Sequence, residues 1–302
     1  MRDLIFTLAV LVAAAVQPLS AQLASSAPSA TPPDAGVSGP VYSNVTYGVA
    51  GGETLLLDIF EPVNESAKPR PAVVLVHGGG WIDFDKSTML PLARFLALAG
   101  FVAVPVNYRL FHDDATRWPA QLDDVQHAVR WLRANSAKYN VDPDHIGAYG
   151  HSAGAQIATL LGMMETGDNS DAALAKYSSR VQAVVDASGP TDFTVHTHDD
   201  ATEFLTRFLG ADFATHPEVW HEASPVFHAA KSDAPILIIH GTRDDMVPIS
   251  QAEELNDALT KAGATVQFLR LDSDHMFHEP VAHRKLALET QAFFGRYLAS
   301  AP

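Results

Sequence analysis

The fold of this chain is decided by the stretch I-G-A-Y-G-H-S-A-G-A at residues 146–155. It begins with an apolar run typical of a buried strand and continues with small residues in a helical pattern. Small residues also surround Ser152, namely Gly150, Ala153 and Gly154. A sharp turn from a strand into a helix tolerates only small residues, because the backbone and the sheet come close together. The stretch therefore predicts a strand, a tight turn that projects the Ser152 hydroxyl, and a helix. A plain helix N-cap is the alternative role for Ser152, but it leaves the small neighbours unexplained.

Apolar runs on both sides of this stretch indicate the fold class. Runs with strand character occur at residues 41–47, 55–60, 72–76, 102–106, 181–185, 235–239 and 266–271. Helical patterns separate most of them, and the clearest spans residues 120–139, with apolar positions every three or four residues. The first two runs are joined through Gly51 and Gly52, which suits a tight hairpin turn. The pattern predicts an α/β fold with a mostly parallel, doubly wound sheet and an N-terminal antiparallel hairpin.

Composition along the chain of 302 residues predicts three segments. Residues 1–21 carry a short apolar run followed by small residues, which predicts a signal peptide and an exported protein, periplasmic or secreted. The run is too short to span a bilayer, so no stable membrane insertion is expected after cleavage; an uncleaved interfacial anchor is the alternative. Residues 22–40 are rich in small residues and proline and predict a flexible linker. Residues 41–302 predict one catalytic domain, with an irregular insertion at about 191–230 that covers the site.

Charge and cysteine content exclude several classes of function. The formal net charge is −15, which disfavours binding to the phosphate backbone of nucleic acids. The chain contains no cysteine, so disulfides, thiolate nucleophiles and cysteine-based metal sites are excluded. The net charge does not restrict the substrate, because a pocket carries its own local charge.

A second motif, H-G-G-G-W at residues 77–81, directly follows one of the predicted strands. A hydroxyl that attacks a carbonyl needs donors that stabilise the oxyanion, and glycines leave backbone N–H groups unobstructed. We predict that Gly79, Gly80 and Ala153 form this oxyanion hole. Gly78 is the alternative donor.

Four further side chains each have a functional and a structural interpretation. Trp81 is predicted to bind substrate, and Phe193 and Phe204 are candidates for the same pocket. Burial in the core is an equally good explanation for these aromatic residues. His77 is expected to brace the loop by hydrogen bonding rather than to transfer protons.

A serine nucleophile needs a base and an acid. Along the chain, the acid is expected after the serine and the base after the acid. The motif H-G-T-R-D at residues 240–244 follows a predicted strand and makes Asp244 the predicted acid, with Asp245 as the alternative. After the last predicted strand comes His275, the predicted base, with His278 as the alternative.

A cluster of imidazoles and carboxylates in the insertion raises the question of a metal site. Its members are His196, His198, Asp199 and Asp200. Such side chains suit zinc and similar ions. A solvated surface is the favoured interpretation, and no metal or other cofactor is expected, because the serine chemistry needs none.

Taken together, the motifs resemble a known family. They are H-G-G-G-W at 77–81, N-Y-R-L at 107–110, P-A-Q-L-D-D at 119–124, G-H-S-A-G at 150–154, H-G-T-R-D at 240–244 and D-H at 274–275. The chain resembles the feruloyl and acetylxylan esterase-like branch of the α/β hydrolases, near the hormone-sensitive-lipase type of carboxylesterase. The resemblance covers roughly residues 41–298 and implies the α/β-hydrolase fold and hydrolysis of carboxylic esters without a cofactor. One departure from the family pattern is Ala155, because the resemblance implies glycine at this position in many relatives.

This reading predicts a serine esterase that works through an acyl-enzyme. The expected substrates are small-molecule or carbohydrate esters with short-chain acyl, acetyl or feruloyl groups, as the resemblance implies. One alternative is a serine peptidase of the prolyl-oligopeptidase kind, although the chain before residue 41 is short for an N-terminal propeller. The other is a binding protein on a hydrolase scaffold, which usually lacks a catalytic serine, acid or histidine.

Overall fold

One eight-stranded sheet forms the centre of the protein in a computed structural model that describes residues 41–63, 66, 68–165, 171–195 and 199–299. In chain order the strands are β1 Tyr42–Ala50, β2 Glu53–Ile59, β3 Arg70–Val76, β4 Val102–Val106, β5 Val141–His151, β6 Ala183–Ala187, β7 Ile236–Gly241 and β8 Val266–Leu271. The predicted signal peptide, residues 1–21, and the linker, residues 22–40, lie outside the described residues. The domain boundary at residue 41 stays a prediction.

The order of the strands in the sheet is β1-β2-β4-β3-β5-β6-β7-β8. β1 and β2 form an antiparallel hairpin, and β2 pairs with β4 in the antiparallel direction. The remaining neighbours in the sheet, β4-β3-β5-β6-β7-β8, all pair in parallel. The predicted mostly parallel sheet with an N-terminal antiparallel hairpin is therefore confirmed.

Seven α-helices are described, and most of them pack on the sheet. They are α1 Leu90–Leu98, α2 Ala120–Ala134, α3 Ala153–Met163, α4 Asp199–Leu209, α5 Pro217–Ala223, α6 Ile249–Ala262 and α7 Pro280–Tyr297. Two hydrophobic clusters show that both faces of the sheet are covered: Val74 of β3 packs with α2, α3 and α6, whereas Val73 packs with α1 and α7. Neighbouring residues of a strand point to opposite faces, which explains why β3 is continuously apolar.

Two elements differ from the sequence prediction. The helix predicted over residues 120–139 ends at Ala134 and is followed by a 3-10 turn at Ser136–Tyr139. Asn140 then adopts a left-handed conformation with φ 50°, which turns the chain into β5. The insertion at 191–230, predicted to be irregular, contains α4, α5 and a 3-10 turn.

Parallel strands place their carboxyl ends at one edge of the sheet, where ligands of open α/β sheets bind. β3, β5, β7 and β8 end there, and the loops that follow them carry the predicted site residues. In the part of the chain that the structure describes, no helix combines the length and apolar character needed to cross a membrane.

Candidate active site

Ser152 lies in a sharp turn between β5 and α3. Its backbone has φ 55° and ψ −125°, a strained conformation for a residue with a side chain. The turn is crowded: a Cβ on Gly150 would lie 2.1 Å from the carbonyl oxygen of Gly154. A Cβ on Gly154 would lie 2.3 Å from the carbonyl oxygen of Val76. Larger residues at these two positions would displace the turn, so the structure gives the small residues around Ser152 a steric cause.

Asp244 and His275 come together at the ends of β7 and β8. The Nδ1 atom of His275 lies 2.7 Å from the Oδ2 atom of Asp244, and both side chains are buried. An ionised carboxylate only accepts hydrogen bonds, so Nδ1 carries the hydrogen and Nε2 is left without one in the neutral ring. This is the tautomer that can accept a proton from a hydroxyl.

Asp244 is held as an anion by several donors. Its Oδ1 atom accepts hydrogen bonds from the backbone N–H groups of Met246 and Val247, at 3.0 and 2.8 Å. The Nε2 atom of His240 lies 3.3 Å from Oδ2 of the same carboxylate. Burial opposes ionisation, but the hydrogen bonds from His240 and His275 outweigh it and hold the pKa of Asp244 well below its usual range.

His240 stabilises the turn that carries Asp244. Its Nε2 atom also lies 2.8 Å from the carbonyl oxygen of Val247. Because a carbonyl oxygen only accepts, the hydrogen of His240 sits on Nε2 and is shared between Val247 and Asp244. The side chain of His240 is fully buried. In the sequence His240 is only part of a motif, and the structure shows that it holds the turn that carries Asp244.

The glycine-rich loop after β3 lies beside the turn of Ser152. A Cβ on Gly78 would lie 3.2 Å from Cβ of Ser152. Gly79 has φ 107°, and a Cβ there would lie 2.1 Å from the carbonyl oxygen of Asp83. Gly80 has φ 58°. Both glycines therefore adopt backbone conformations that side chains disfavour, in the loop whose Gly78 lies next to Ser152.

Ala153 is the first residue of α3. The first helical hydrogen bonds are those of Ala155 and Gln156 to the carbonyl oxygen of Ser152. The N–H group of Ala153 therefore belongs to the first turn, whose N–H groups have no partner within the helix. Ala153 thus directly follows Ser152 at the start of α3, and Gly79 and Gly80 follow Gly78 in the neighbouring loop; their role as an oxyanion hole stays a prediction.

His77 packs against Tyr108 at the start of the glycine-rich loop. Its ring is stacked on Tyr108, with centroids 4.3 Å apart, and its Nδ1 atom lies 2.7 Å from the carbonyl oxygen of Gly78. The Tyr108 hydroxyl donates to the carbonyl oxygen of His77 at 3.0 Å. Burial lowers the pKa of His77 to about 4, so the ring is neutral near pH 7. These contacts are of the bracing kind that the sequence led us to expect.

Trp81 belongs to an aromatic cluster beside the loop. Its ring is stacked on Phe208 and Phe204 of α4, with centroids 4.7 and 6.3 Å away, and meets Phe193 edge-on at 5.5 Å. The indole N–H donates to Oε1 of Gln156 at 3.2 Å. Only 6% of Trp81 is exposed. The predicted contact of Trp81 with substrate stays a prediction, and the structure shows its packing role directly.

The alternatives to the acid and the base occupy different surroundings. Asp245 is exposed, unlike the side chain of Asp244 beside it. The His278 side chain is 65% exposed and pairs with Asp274 at 2.6 Å, not with Asp244. Neither alternative shares the buried Asp244–His275 arrangement.

An exposed network fixes the outer side of the same loops. Arg243 forms ion pairs with Asp272 and Glu279, and the Ser273 hydroxyl donates to Glu279. Among the described residues no group of three or more histidine, aspartate or glutamate side chains is arranged to hold a metal ion. His196 and His198, the histidines of the sequence cluster, lie outside the described residues.

His151, the residue before Ser152, is a neighbour that sequence reasoning missed. Its Nε2 atom lies 3.0 Å from the carbonyl oxygen of His275, and the two rings have centroids 5.1 Å apart. Gln156 was missed as well: besides Trp81 it contacts the carbonyl oxygen of Ala223 at 2.8 Å. Both residues stand near the serine in sequence, but their partners are distant in the chain, so no local signal identifies them.

The chain belongs to the BD-FAE family of α/β hydrolases, whose family model matches residues 57–259. It is 31% identical over 239 residues to the esterase LipQ of Mycobacterium tuberculosis. The matched region covers 77% of this chain and 56% of LipQ. The chain thus spans somewhat more than half the length of this curated relative.

Solved structures similar to the chain are also esterases. A truncated carbohydrate esterase from gut microbiota is 28% identical with a TM-score of 0.74, covering 86% of this chain and 96% of that one. Esterase 2 of the planctomycete Thermogutta terrifontis is 25% identical. Its butyrate-bound structure has a TM-score of 0.75 and covers 86% of this chain and 96% of that one. Its structure phosphonylated by sarin has a TM-score of 0.76 and covers 87% and 98%.

Proposed function

We propose that the protein is a serine esterase that hydrolyses carboxylic esters through an acyl-enzyme intermediate. The observation that carries this proposal is the buried hydrogen bond between Asp244 and His275, at 2.7 Å, beside the strained turn that presents Ser152. Membership of the BD-FAE family and the similarity to several esterases support it.

In the proposed reaction, the Ser152 hydroxyl attacks the ester carbonyl while Nε2 of His275 accepts its proton. Asp244 keeps the ring in the required tautomer and stabilises the imidazolium that forms. The protonated His275 then donates to the leaving alcohol. Water then attacks the carbonyl of the acyl-enzyme while His275 accepts a proton from it, and the return of this proton to Oγ of Ser152 releases the carboxylic acid and regenerates the serine. Every proton moves between His275 and an oxygen atom, so the cycle needs no cofactor.

The negative charge on the carbonyl oxygen is proposed to be stabilised by the N–H groups of Gly79, Gly80 and Ala153. The left-handed conformations of the two glycines and the position of Ala153 at the start of α3 support this assignment. Each such donor typically contributes about 3 kcal/mol of transition-state stabilisation.

For the substrate, we propose either esters with short-chain acyl groups or carbohydrates that carry acetyl or feruloyl esters. The stacked aromatic rings of Trp81, Phe204 and Phe208 at the end of the glycine-rich loop support an apolar environment for the acyl group. The butyrate complex of the T. terrifontis esterase and the gut carbohydrate esterase point in the same direction.

We also propose that the protein is exported. The support is the sequence of residues 1–21, with its short apolar run and small residues around Ala21. Cell fractionation of the native host, followed by N-terminal sequencing of the mature protein, tests this. An amino terminus at Gln22 is expected, and an intact protein in the cytoplasm would contradict export.

The decisive test of the reaction is the Ser152→Ala variant with p-nitrophenyl acetate. We expect kcat to fall by roughly 10,000-fold or more, because the nucleophile is removed while the fold stays intact. A fluorophosphonate probe should label the parent protein and not the variant. Hydrolysis by Ser152→Ala at the parent rate would refute the proposal.

The substrate class is tested separately with a panel of acetyl, butyryl, octanoyl and feruloyl esters. We expect kcat/KM to be highest for the acetyl or butyryl ester or for a feruloyl sugar. Preference for the octanoyl ester would contradict the short-acyl proposal and leave the serine mechanism untouched. Inclusion of a peptide amide tests the peptidase alternative.

A further inference from the structure

His151 connects three parts of the candidate site. Its Nε2 atom lies 3.0 Å from the carbonyl oxygen of His275, in the loop after β8. Its Nδ1 atom lies 3.2 Å from the position that a Cβ would take on Gly78, in the glycine-rich loop. In the chain it is bonded to Ser152. One side chain therefore touches the loops of the proposed nucleophile, oxyanion donors and base.

The direction of the hydrogen bond follows from its acceptor. A backbone carbonyl oxygen has no hydrogen to donate, so Nε2 of His151 carries one and donates it to His275. The contact is made to the main chain of His275, whereas Asp244 holds its imidazole at Nδ1. The two contacts therefore fix different parts of the same residue, one the backbone and the other the ring.

The charge of His151 matters because its ring lies close to that of His275, with centroids 5.1 Å apart. The residue is half-buried, and desolvation of the ring, together with the charge of His275, lowers the pKa of His151 to about 4, although the hydrogen bond to the His275 carbonyl oxygen acts in the opposite direction. Asp244 also raises this pKa, and His240, like the charge of His275, lowers it. A neutral His151 places no second cation beside the imidazolium that His275 becomes during the proposed reaction.

We propose that His151 is a positioning residue that holds the backbone of His275 at a fixed position relative to Ser152. The inference rests on the proposed function, because it assigns a catalytic purpose to the hydrogen bond between His151, beside the nucleophile Ser152, and the backbone of His275, the proposed base. Since His151 directly precedes Ser152, its hydrogen bond ties the backbones of nucleophile and base together across β5 and the loop after β8. A misplacement of about 1 Å in such an arrangement costs roughly 100-fold in rate.

Three substitutions separate the donated hydrogen bond from the bulk of the side chain. His151→Gln places an amide N–H near the position of Nε2 and keeps the donor. His151→Asn places its amide near the position of Nδ1 and is too short to reach the carbonyl oxygen of His275. His151→Leu fills the space without any donor.

His127 provides a matched control far from the site. Its Nε2 atom lies 3.1 Å from the carbonyl oxygen of Tyr47, so it makes the same kind of contact between α2 and β1. β1 is the edge strand opposite β8 in the sheet. His127→Leu therefore removes an equivalent hydrogen bond without touching the loop of His275.

In steady-state kinetics with p-nitrophenyl acetate, we expect kcat to fall about 30- to 100-fold in His151→Leu and His151→Asn, with KM changed less than about threefold. His151→Gln should recover most of kcat, and His127→Leu should remain within about twofold of the parent. Equal losses in His151→Leu and His151→Gln would overturn the inference, because the donor would then be irrelevant. A parent-like kcat in folded His151→Leu would overturn it as well.

Hydrogen exchange gives a second readout that does not depend on esterase activity. The amides of residues 274–278 should exchange faster in His151→Leu and His151→Asn than in the parent, His151→Gln and His127→Leu. Unchanged exchange in this loop would overturn the inference even if the protein hydrolysed no ester. Ser152→Ala with parent-like activity would refute the proposed reaction and leave the exchange result to decide the role of His151.

Discussion

Two histidine–aspartate pairs on neighbouring turns have nearly the same length and very different surroundings. The Asp244–His275 pair measures 2.7 Å, and its side chains are 0% and 4% exposed. The Asp274–His278 pair measures 2.6 Å, and its side chains are 39% and 65% exposed. Bond length alone therefore does not separate a candidate catalytic pair from a surface pair.

The difference lies in what else each carboxylate binds. Asp244 collects two backbone N–H groups and the buried His240 in addition to His275, so its orientation is fixed from several sides. Asp274 accepts the backbone N–H groups of Met276 and His278, within its own loop. The first carboxylate orients the His275 imidazole, whose ring lies next to that of His151, whereas the second shapes the loop that carries that imidazole.

The largest difference is expected when the two histidines are replaced in turn. His275→Ala should lower kcat for p-nitrophenyl acetate by roughly 10,000-fold to a million-fold, because it removes the proposed base. His278→Ala should stay within about threefold of the parent, because its ring is exposed and bonded to Asp274. If His278→Ala lost activity and His275→Ala kept it, the base would be His278.

The carboxylates should differ by a somewhat smaller factor. Asp244→Asn should lower kcat by about 1,000- to 10,000-fold, because the amide no longer enforces the Nδ1–H tautomer of His275. Asp245→Asn, one residue away and exposed, is the matched control and should change kcat less than about threefold. A reversed order in this pair would transfer the role of the acid to Asp245.

The loop carboxylate is expected to have a modest effect. Asp274→Ala removes the acceptor for the N–H groups of Met276 and His278 and should lower kcat about tenfold through displacement of His275. Asp274→Asn keeps an acceptor oxygen and should recover most of kcat. The comparison of kcat for the two variants is the measurement, and identical losses would mean that charge rather than loop shape is needed.

The fold was predictable because its signals are local. Steric crowding at Gly150 and Gly154 leaves no room for larger residues, and buried parallel strands leave continuous apolar runs such as that of β3. The expected order of serine, acid and histidine limited the candidates for the acid to the loop after β7 and those for the base to the loop after β8. Such features are expressed in the residue types and their order along the chain, so they can be recognised without coordinates.

The parts that sequence reasoning missed depend on contacts between distant residues. His151 meets His275, 124 residues later, and Gln156 meets Trp81, 75 residues earlier. In the insertion, α4 does carry an amphipathic signal, since Leu205 and Phe208 are buried and Phe204 packs beside them. The prediction of an irregular segment over about residues 191–230 did not include this helix and was wrong at this point.

The smallest expected difference between the two pairs is in the pH dependence of stability. Burial opposes ionisation of Asp244, but hydrogen bonds from His240 and His275 hold its folded-state pKa well below the ordinary value of 3.8. As the pH falls below about 5, the unfolded chain therefore takes up a proton at this residue before the folded protein does, and the free energy of unfolding decreases. The stabilising contribution is present above the unfolded pKa and is lost as the pH falls toward the folded one.

Asp244→Asn removes this proton uptake. The free energy of unfolding of the variant should fall less steeply than that of the parent between about pH 5 and pH 3, measured by urea denaturation. The pKa of Asp274 is also lowered, because its hydrogen bond from His278 outweighs the opposing effect of burial. Its carboxylate is partly exposed, however, and solvent weakens the coupling, so Asp274→Asn should flatten the profile less. A flatter profile for Asp274→Asn than for Asp244→Asn would show that the exposed pair, not the buried one, is the stronger electrostatic link between these loops.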